Sequence, residues 1–226
     1  MKNIVVLSGA GISAESGIMT FRDMGGLWEQ YDIMEVASPV GWKKNRALVL
    51  DFYNQRRKQL LEVKPNAGHK TLVEFEKHFK VQIITQNVDD LHERAGSTNV
   101  LHLHGELKKV RSSIDENLVY ELDGWELKEG DLCEKGSQLR PHIVWFGEAV
   151  PMIDKATLLV QKADIFIVVG TSLNVYPAAG LLAYVPKNTP IYLIDPEDVH
   201  SNYEFEHIKE KGSIGLQKLF NQLTTL

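Results

Sequence analysis

The apolar run Ile4-Val5-Val6-Leu7 passes directly into Ser8-Gly9-Ala10-Gly11-Ile12-Ser13-Ala14, and this junction constrains the fold more than any other stretch of the chain. An unbroken apolar run of this length suits a strand buried on both faces. The small residues after it let backbone N–H groups approach a phosphate with no side chain in the way. Gly9, Gly11 and Ala14 meet the loose G-x-G-x-x-G/A spacing, in which glycines permit a tight turn and close approach to a pyrophosphate. An ordinary loop of that kind leads through a helix into a second strand, with an acidic ribose reader about 20 residues on. Phe21-Arg22-Asp23 and Gly25-Gly26-Leu27-Trp28 follow instead, so the loop is a variant with further chemistry attached.

The rest of the chain alternates strand-like and helical segments. Strand-like runs fall at Ile4–Leu7, Val81–Thr85, Asn99–Leu103, Ile165–Val169 and Ile191–Ile194, which implies an α/β fold with a mostly parallel sheet and helices on its faces. Residues 32–79 carry helical periodicity and read as a helical module. Residues 107–140 break into short pieces, Leu118–Leu122 and Trp125–Leu127, joined by acidic turns, and read as a small inserted lobe. The expected organisation is therefore a Rossmann-like sheet domain over 1–31, 80–106 and 141–226, carrying the 32–79 module and the 107–140 lobe. At 226 residues and 43% hydrophobic, the chain can bury one good core and a small satellite.

Charge and cysteine usage exclude several classes. A net charge of −5 argues against a broad nucleic-acid footprint, and Lys43-Lys44-Asn45-Arg46 reads as a solvated helix face. No apolar run reaches membrane-spanning length, and Met1-Lys2-Asn3 leads straight into the first strand, so a cytoplasmic protein without a signal peptide is expected. The single cysteine, Cys133, excludes an internal disulfide and any multi-cysteine metal site.

Four further strand ends carry polar groups where open parallel sheets bind ligands. Thr85-Gln86-Asn87-Val88-Asp89-Asp90 places amides and carboxylates there, making Gln86, Asn87 and Asp89 candidate readers of a sugar and a carboxamide; alone, it also reads as a polar turn. Asn99-Val100-Leu101-His102-Leu103-His104-Gly105 puts His102 and His104 on one face, with His104 at the strand end, where a general base belongs. Gly170-Thr171-Ser172 suits phosphate or ribose contacts, and Asp195 after the last strand suits ribose hydroxyls while repelling a 2′-phosphate, which favours NAD over NADP. Each alone also reads as a routine strand-to-helix turn, but four in one chain exceed coincidence.

These motifs, together with Pro141-His142-Ile143-Val144-Trp145-Phe146-Gly147-Glu148, stand in the order seen in sirtuins, the Sir2 family, and the chain resembles the short bacterial members over nearly its whole length. The resemblance implies an NAD-consuming protein-lysine deacylase. The acyl-lysine oxygen displaces nicotinamide, and His104 acts as base on a ribose hydroxyl of the alkylamidate intermediate. Nicotinamide, free lysine and O-acyl-ADP-ribose leave. It implies a catalytic pair His104 and Asn87. NAD contacts are implied at Gly9, Ala10, Gly11, Ser13, Phe21, Arg22, Gln86, Asp89, Gly170, Thr171, Ser172 and Asp195, with Phe21 capping the nicotinamide pocket. Asp195 stands where the family often has asparagine, and Gly212-Ser213-Ile214 resembles an adenine contact. Val144 and Phe146 belong to a segment resembling the strand that pairs with the substrate backbone.

Tyr53 and Arg56 lie three apart on a helix and share a face, so a hydroxyl and a guanidinium can meet one acyl group. The pair resembles that of desuccinylase-type sirtuins, which implies succinyl and malonyl substrates, with acetyl also accepted. One departure stands out. Members of the family usually carry two cysteine pairs in the inserted lobe, whereas Lys109-Val110-Arg111-Ser112-Ser113 has serine where the first cysteine is expected, only Cys133 remains, and 107–140 holds no histidine. The lobe is thus zinc-ribbon-like without zinc, held instead by Leu118, Tyr120, Leu122, Trp125, Leu127 and Leu132. The expected partners are acylated-lysine proteins, with no nucleic acid and no membrane. Protein ADP-ribosyl transfer from the same NAD site, and a nicotinamide-dependent oxidoreductase, are the competing classes.

Overall fold

The computed structural model describes residues 1–18, 31–173, 175–199 and 201–225. Six parallel strands form the large sheet: β1 (Asn3–Ser8), β2 (Lys80–Thr85), β3 (Val100–His102), β7 (Ile165–Val169), β8 (Ile191–Ile194) and β9 (Glu206–Ile208). Their order is β3-β2-β1-β7-β8-β9, so the chain leaves the central β1 first to one side and later to the other. This is the doubly wound arrangement, and its crevice lies at the β1/β7 switch point. The pairing aligns Ser8 with Thr85 and with Val169, Thr85 with His102, and Val169 with Ile194. One edge of the sheet therefore carries the turns that begin at Gly9, Gln86, Leu103, Gly170 and Asp195.

Period-two alternation decides which helices cover which face. Ile4 and Val6 pack with Leu72 and Phe75 of α5 (Ala67–Phe75) and Leu216 and Leu219 of α8 (Gly212–Thr224). Val5 and Leu7 pack on the other face with Ala156 and Val160 of α7 (Ile153–Val160) and Leu181 of the 3₁₀ turn Ala178–Tyr184. Complete burial of such side chains contributes about 1.5–3 kcal/mol each, and β1 buries its apolar residues on both faces. Helix α5, which falls inside the 32–79 span, thus covers the large sheet.

The remaining helices of that span are α2 (Ile33–Val36), α3 (Pro39–Lys44) and α4 (Arg46–Glu62), started by side-chain caps from Asp32, Ser38 and Asn45 respectively. They share a third apolar cluster with the small antiparallel sheet β5-β4-β6, in which β4 is Gly105–Ser112, β5 Val119–Glu121 and β6 Leu139–Ile143. Phe52, Tyr53, Leu107, Val110, Ile143 and Trp145 are among its members. Two short helices, α1 (Ala10–Ala14) and α6 (Leu91–Ala95), follow β1 and the β2 loop. Among the described residues, no helix is long and apolar enough to cross a membrane.

The lobe differs from expectation in two places. Trp125–Leu127 forms no strand, because the Asn54 carboxamide takes both backbone groups of Leu127: its Nδ2 donates to the Leu127 carbonyl (3.0 Å) and its Oδ1 accepts the Leu127 N–H (2.9 Å). Leu132 is 56% exposed and Trp125 37%, so neither seals the lobe. Polar groups replace them. The buried Gln138 donates to the carbonyls of Lys128 and Leu139 and accepts the Gly130 N–H (2.9, 3.0 and 2.8 Å). Ser112, Cys133 and Ser137 form a closed triangle, with Oγ to Oγ 2.8 Å and Sγ to the two hydroxyls 3.4 and 3.2 Å. These hydroxyls hold the thiol at a pKa of about 7, against some pull upward from burial. Among the described residues, no group of three or more His, Cys, Asp or Glu is placed to hold a metal ion. Gln138→Ala, which removes three hydrogen bonds to backbone groups of the lobe, is expected to destabilise the protein by about 1–3 kcal/mol, and EDTA to leave the melting temperature of the wild type in place. A chelator-induced drop would show that a metal holds the lobe.

Candidate active site

At the switch point, two glycine turns interlock. The Gly9 N–H donates to the Val169 carbonyl (3.0 Å) and the Gly11 N–H to the Gly170 carbonyl (2.8 Å). A Cβ at Gly9 would lie 2.6 Å from Thr171 Cβ, one at Gly11 2.7 Å from Gly170 Cα, and one at Gly170, where φ is +64°, 2.3 Å from the Ile12 nitrogen. The glycines therefore act by letting the turns approach. The Gly9 and Gly11 N–H groups are committed to protein carbonyls, so these two do not contribute to the phosphate contact expected of the loop's backbone. Ala10 is half-buried beside them and Ser13 fully buried. Phe21 and Arg22 lie outside the described residues.

The loop after β2 is held on top of this junction. Asn87 Nδ2 donates to the Gly9 carbonyl (3.2 Å) and to Ser13 Oγ (3.1 Å), which leaves Oδ1 as the part of the side chain able to face a ligand. Its backbone N–H donates to Thr85 Oγ1 (3.0 Å), which also accepts the Ser8 hydroxyl (2.9 Å), and Ser8 Oγ lies 2.9 Å from Nε2 of the buried His92. Burial holds His92 well below its ordinary pKa of 6.5 and so keeps it neutral. Gln86 Nε2 reaches across to Thr171 Oγ1 (3.2 Å). Asp89 is 5% exposed and accepts the Leu91 N–H (3.1 Å); burial raises its pKa against the opposing pull of that amide, the Ser13 hydroxyl and the charge of His102.

His104 presents its ring in a defined tautomer. Nδ1 lies 3.0 Å from the Gln86 carbonyl, which only accepts, so Nδ1 carries the hydrogen and Nε2 the lone pair. Burial lowers its pKa below 6.5, although the Gln86 carbonyl opposes this, so Nε2 is free to take a proton at neutral pH. The His104 carbonyl accepts the Val144 N–H (2.9 Å), which puts β6 and its continuation beside the base. The junction depends on Gly105: its φ is +84°, and a Cβ there would sit 2.0 Å from the His142 oxygen.

The acyl-pocket candidates come from α4. Tyr53 is 1% exposed and its oxygen accepts the Trp145 indole N–H (3.0 Å). Arg56 Cζ lies 5.8 Å from the Tyr53 ring centroid and 5.7 Å from that of Phe52. Burial lowers the Arg56 pKa, with Tyr53 and Asp89 opposing. Its neighbour Arg57 turns away and donates to the Leu107 carbonyl (2.6 Å) and Asn54 Oδ1 (2.8 Å), with its pKa lowered to about 10 by burial. Val144 is half-buried and Phe146 48% exposed, the latter donating its N–H to the Ala37 carbonyl (2.9 Å).

Thr171 is nearly buried, Ser172 half-buried, and Asp195 Oδ1 closes its own turn by accepting the Glu197 N–H (3.0 Å), which leaves Oδ2 for a ligand. Ser213 is tied to Glu15, its N–H 2.9 Å from Oε1. A brace behind the Val144–Phe146 segment was not legible in the sequence. Glu148 accepts from Arg140 (2.7 and 3.0 Å), Arg111 (3.3 Å) and the Trp145 N–H (2.8 Å), and Arg140 Cζ lies 3.4 Å from the Trp145 ring centroid. Apart from the glutamate ending Phe146-Gly147-Glu148, these residues share no local spacing that could have signalled the network.

His104→Ala is expected to lower turnover by about 10²–10⁴ fold with the fold intact. The acid limb of the wild-type rate profile is expected to have its midpoint below pH 6.5, because the depressed pKa keeps the base deprotonated to lower pH. Gly105→Ala combines a disfavoured φ with a backbone clash, and its cost is expected to exceed the about 1–2 kcal/mol of the dihedral alone and to remove activity. Circular dichroism melts beside steady-state rates check both variants.

The Sir2 family matches residues 9–177 of the chain. An NAD-dependent protein deacylase of Bacteroides thetaiotaomicron is 58% identical over 226 residues, covering 97% of each chain. One of Helicobacter pylori is 60% identical over 227 residues, covering 99% of this chain and 98% of its own. Among solved structures, a Sir2 homologue in complex with NAD superposes with a TM-score of 0.89 at 39% identity, covering 99% of this chain and 90% of its own. A Sir2 protein with a deacetylated peptide and 3′-O-acetyl ADP-ribose superposes with a TM-score of 0.79 at 27% identity, covering 97% of this chain and 92% of its own. The glycine interlock, the Gln86-Asn87 loop and the His104 junction are thus those of a Sir2 chain, and this protein belongs to the Sir2 family.

Proposed function

We propose that this protein is an NAD-dependent protein-lysine deacylase whose pocket takes acyl groups ending in a carboxylate, succinyl and malonyl, and also acetyl. The enzyme class is that of relatives with 58% and 60% identity over nearly the full length. The observation that carries the chemistry is His104, with Nδ1–H on the Gln86 carbonyl and Nε2 left as a base at the sheet's ligand-binding edge. The site suits NAD as the co-substrate: beside the interlocked glycine turns, the buried Asp89, Ser13 and Asn87 offer a carboxyl, a hydroxyl and an amide Oδ1.

NAD supplies a labile bond between its ribose and nicotinamide. Asn87 and Asp89 bind the nicotinamide end, Gln86 orients the adjoining ribose while fixed to Thr171, and Thr171, Ser172 and Asp195 hold the remainder. The His104 Nε2 takes the proton of a ribose hydroxyl, and its Nδ1–H stays on the Gln86 carbonyl to stabilise the imidazolium so formed. Val144 and Phe146 line the acyl-lysine path, and with one water consumed in releasing the lysine amine the products leave as nicotinamide, free lysine and O-acyl-ADP-ribose. A structural relative with 3′-O-acetyl ADP-ribose beside a deacetylated peptide supports acyl transfer to the ribose over transfer of ADP-ribose to protein.

Acidic acyl preference rests on Arg56 beside Tyr53. Burial disfavours the charged form of the Arg56 guanidinium, and a carboxylate ligand beside it favours that form. Hydrogen bonds to a charged group contribute about 1.5–3 kcal/mol, a factor of about 10–150. Arg56→Met is expected to lower kcat/KM for a succinyl-lysine peptide by about that factor, with acetyl-lysine turnover within about threefold of wild type. Mass spectrometry of deacylated peptide and nicotinamide reads both; equal losses on the two peptides would reject the carboxylate clamp.

A further inference from the structure

His102 precedes the base by two residues on the same strand, and its ring is committed differently. Nδ1 lies 2.9 Å from the Asn87 carbonyl and Nε2 2.8 Å from Glu93 Oε1. Both partners only accept hydrogen bonds, and a neutral imidazole carries one N–H. The two contacts together therefore require the imidazolium. The side chain is 8% exposed, against 40% for Glu93, so the charge is held inside the protein and its counter-charge at the surface.

The same loop is gripped from the other side, where the Asn87 carboxamide donates to Gly9 and Ser13 and its N–H to Thr85. The imidazolium holds the remaining backbone group of this residue. We propose that His102, ion-paired to Glu93, is a positioning residue: as an imidazolium it fixes the Asn87 carbonyl, and on losing a proton it releases one of its two contacts and loosens the Asn87 carboxamide at the nicotinamide end of the site. The inference rests on the role given to Asn87 above.

The surrounding charges favour the imidazolium on balance. Burial lowers the His102 pKa, but the hydrogen bond and charge of Glu93, the Asn87 carbonyl and the Glu106 carboxylate of β4 outweigh it, so the pKa stands above 6.5. Asp89 in the loop also interacts favourably with the charge, His92 of α6 opposes it, and Lys109 sits near Glu93 while hydrogen-bonded to Glu106. A raised histidine pKa contributes stability that is fully present below 6.5 and lost as pH rises through the folded value. The loop is thus tightest on the acid side and releases on the alkaline side, opposite to the requirement of His104.

The test is imidazole and amide NMR of the NAD-free protein across pH, with wild type and Glu93→Gln. In wild type, His102 is expected to titrate above 6.5, and the Asn87 carboxamide protons to shift and exchange faster with the same midpoint. Glu93→Gln is expected to move both midpoints down together. In rate measurements the alkaline limb of kcat is expected to move down with them and kcat at pH 8 to fall about tenfold, with KM for the acyl peptide within about twofold. Asn87 carboxamide exchange that ignores the His102 titration, or an alkaline limb unmoved by Glu93→Gln, overturns the proposal. If Glu93→Gln does not fold, the wild-type titration alone decides. Absence of deacylation in wild type would overturn the function and leave the NMR coupling to be read by itself.

Discussion

The close approach of two glycine turns at the β1/β7 switch point is the constraint on which the site is built. With Gly9 and Gly11 hydrogen-bonded to the carbonyls of Val169 and Gly170, the first and fourth strands of the large sheet end in one continuous backbone surface. That surface is what Asn87 and Gln86 hold: the Gly9 carbonyl and Ser13 receive one carboxamide, and the Thr171 hydroxyl receives the other. Any side chain at these glycines would separate the turns and carry the loop away from the floor it stands on. The register of the parallel sheet supplies the rest, because it brings the ends of β2 and β3 level with that of β1.

Three histidines then control one short segment by distinct hydrogen-bonding states. His104 is a neutral donor to the Gln86 carbonyl, His102 a charged donor to the Asn87 carbonyl, and His92 a buried neutral ring joined through Ser8 and Thr85 to the Asn87 N–H. His102 and His104 differ only in setting: one meets a carboxylate, the other is desolvated without one, so their pKa values move in opposite directions. Two rings on one strand face can thereby hold different protonation states at one pH, one for chemistry and one for position.

The satellite unit shows how a lobe is held together with a single cysteine. Its helices and small sheet share an apolar cluster with Tyr53 and Trp145, and its loops are closed by the carboxamides of Asn54 and Gln138 and the Ser112, Cys133, Ser137 triangle. The proposed acyl pocket is part of this unit through Tyr53, and the Glu148 carboxylate binds the lobe's two arginines to the segment leading out of β6. Stability of the lobe and shape of the pocket are therefore one problem in this chain.

The sequence by itself determined a mostly parallel sheet with helices on its faces, five of its six strands and the strand ends that carry polar groups, while the three-residue β9 was not legible. These follow from short-range rules: apolar runs of strand length, glycines where backbones must meet, and polar residues just past a strand. Local pattern also placed Tyr53 and Arg56 on one helical face. What only the tertiary structure decided involves partners far apart along the chain. Strands β4 and β6 were not legible, because their pairing depends on a turn at Gly105 and on residues 27 to 38 positions away. Trp125–Leu127 read as a strand but found a side chain, Asn54, in place of a strand partner. The choice between Arg56 and Arg57, the tautomer of His104 and the charge on His102 were equally hidden, since each is set by an acceptor that folding brings within 3 Å and that no local spacing announces.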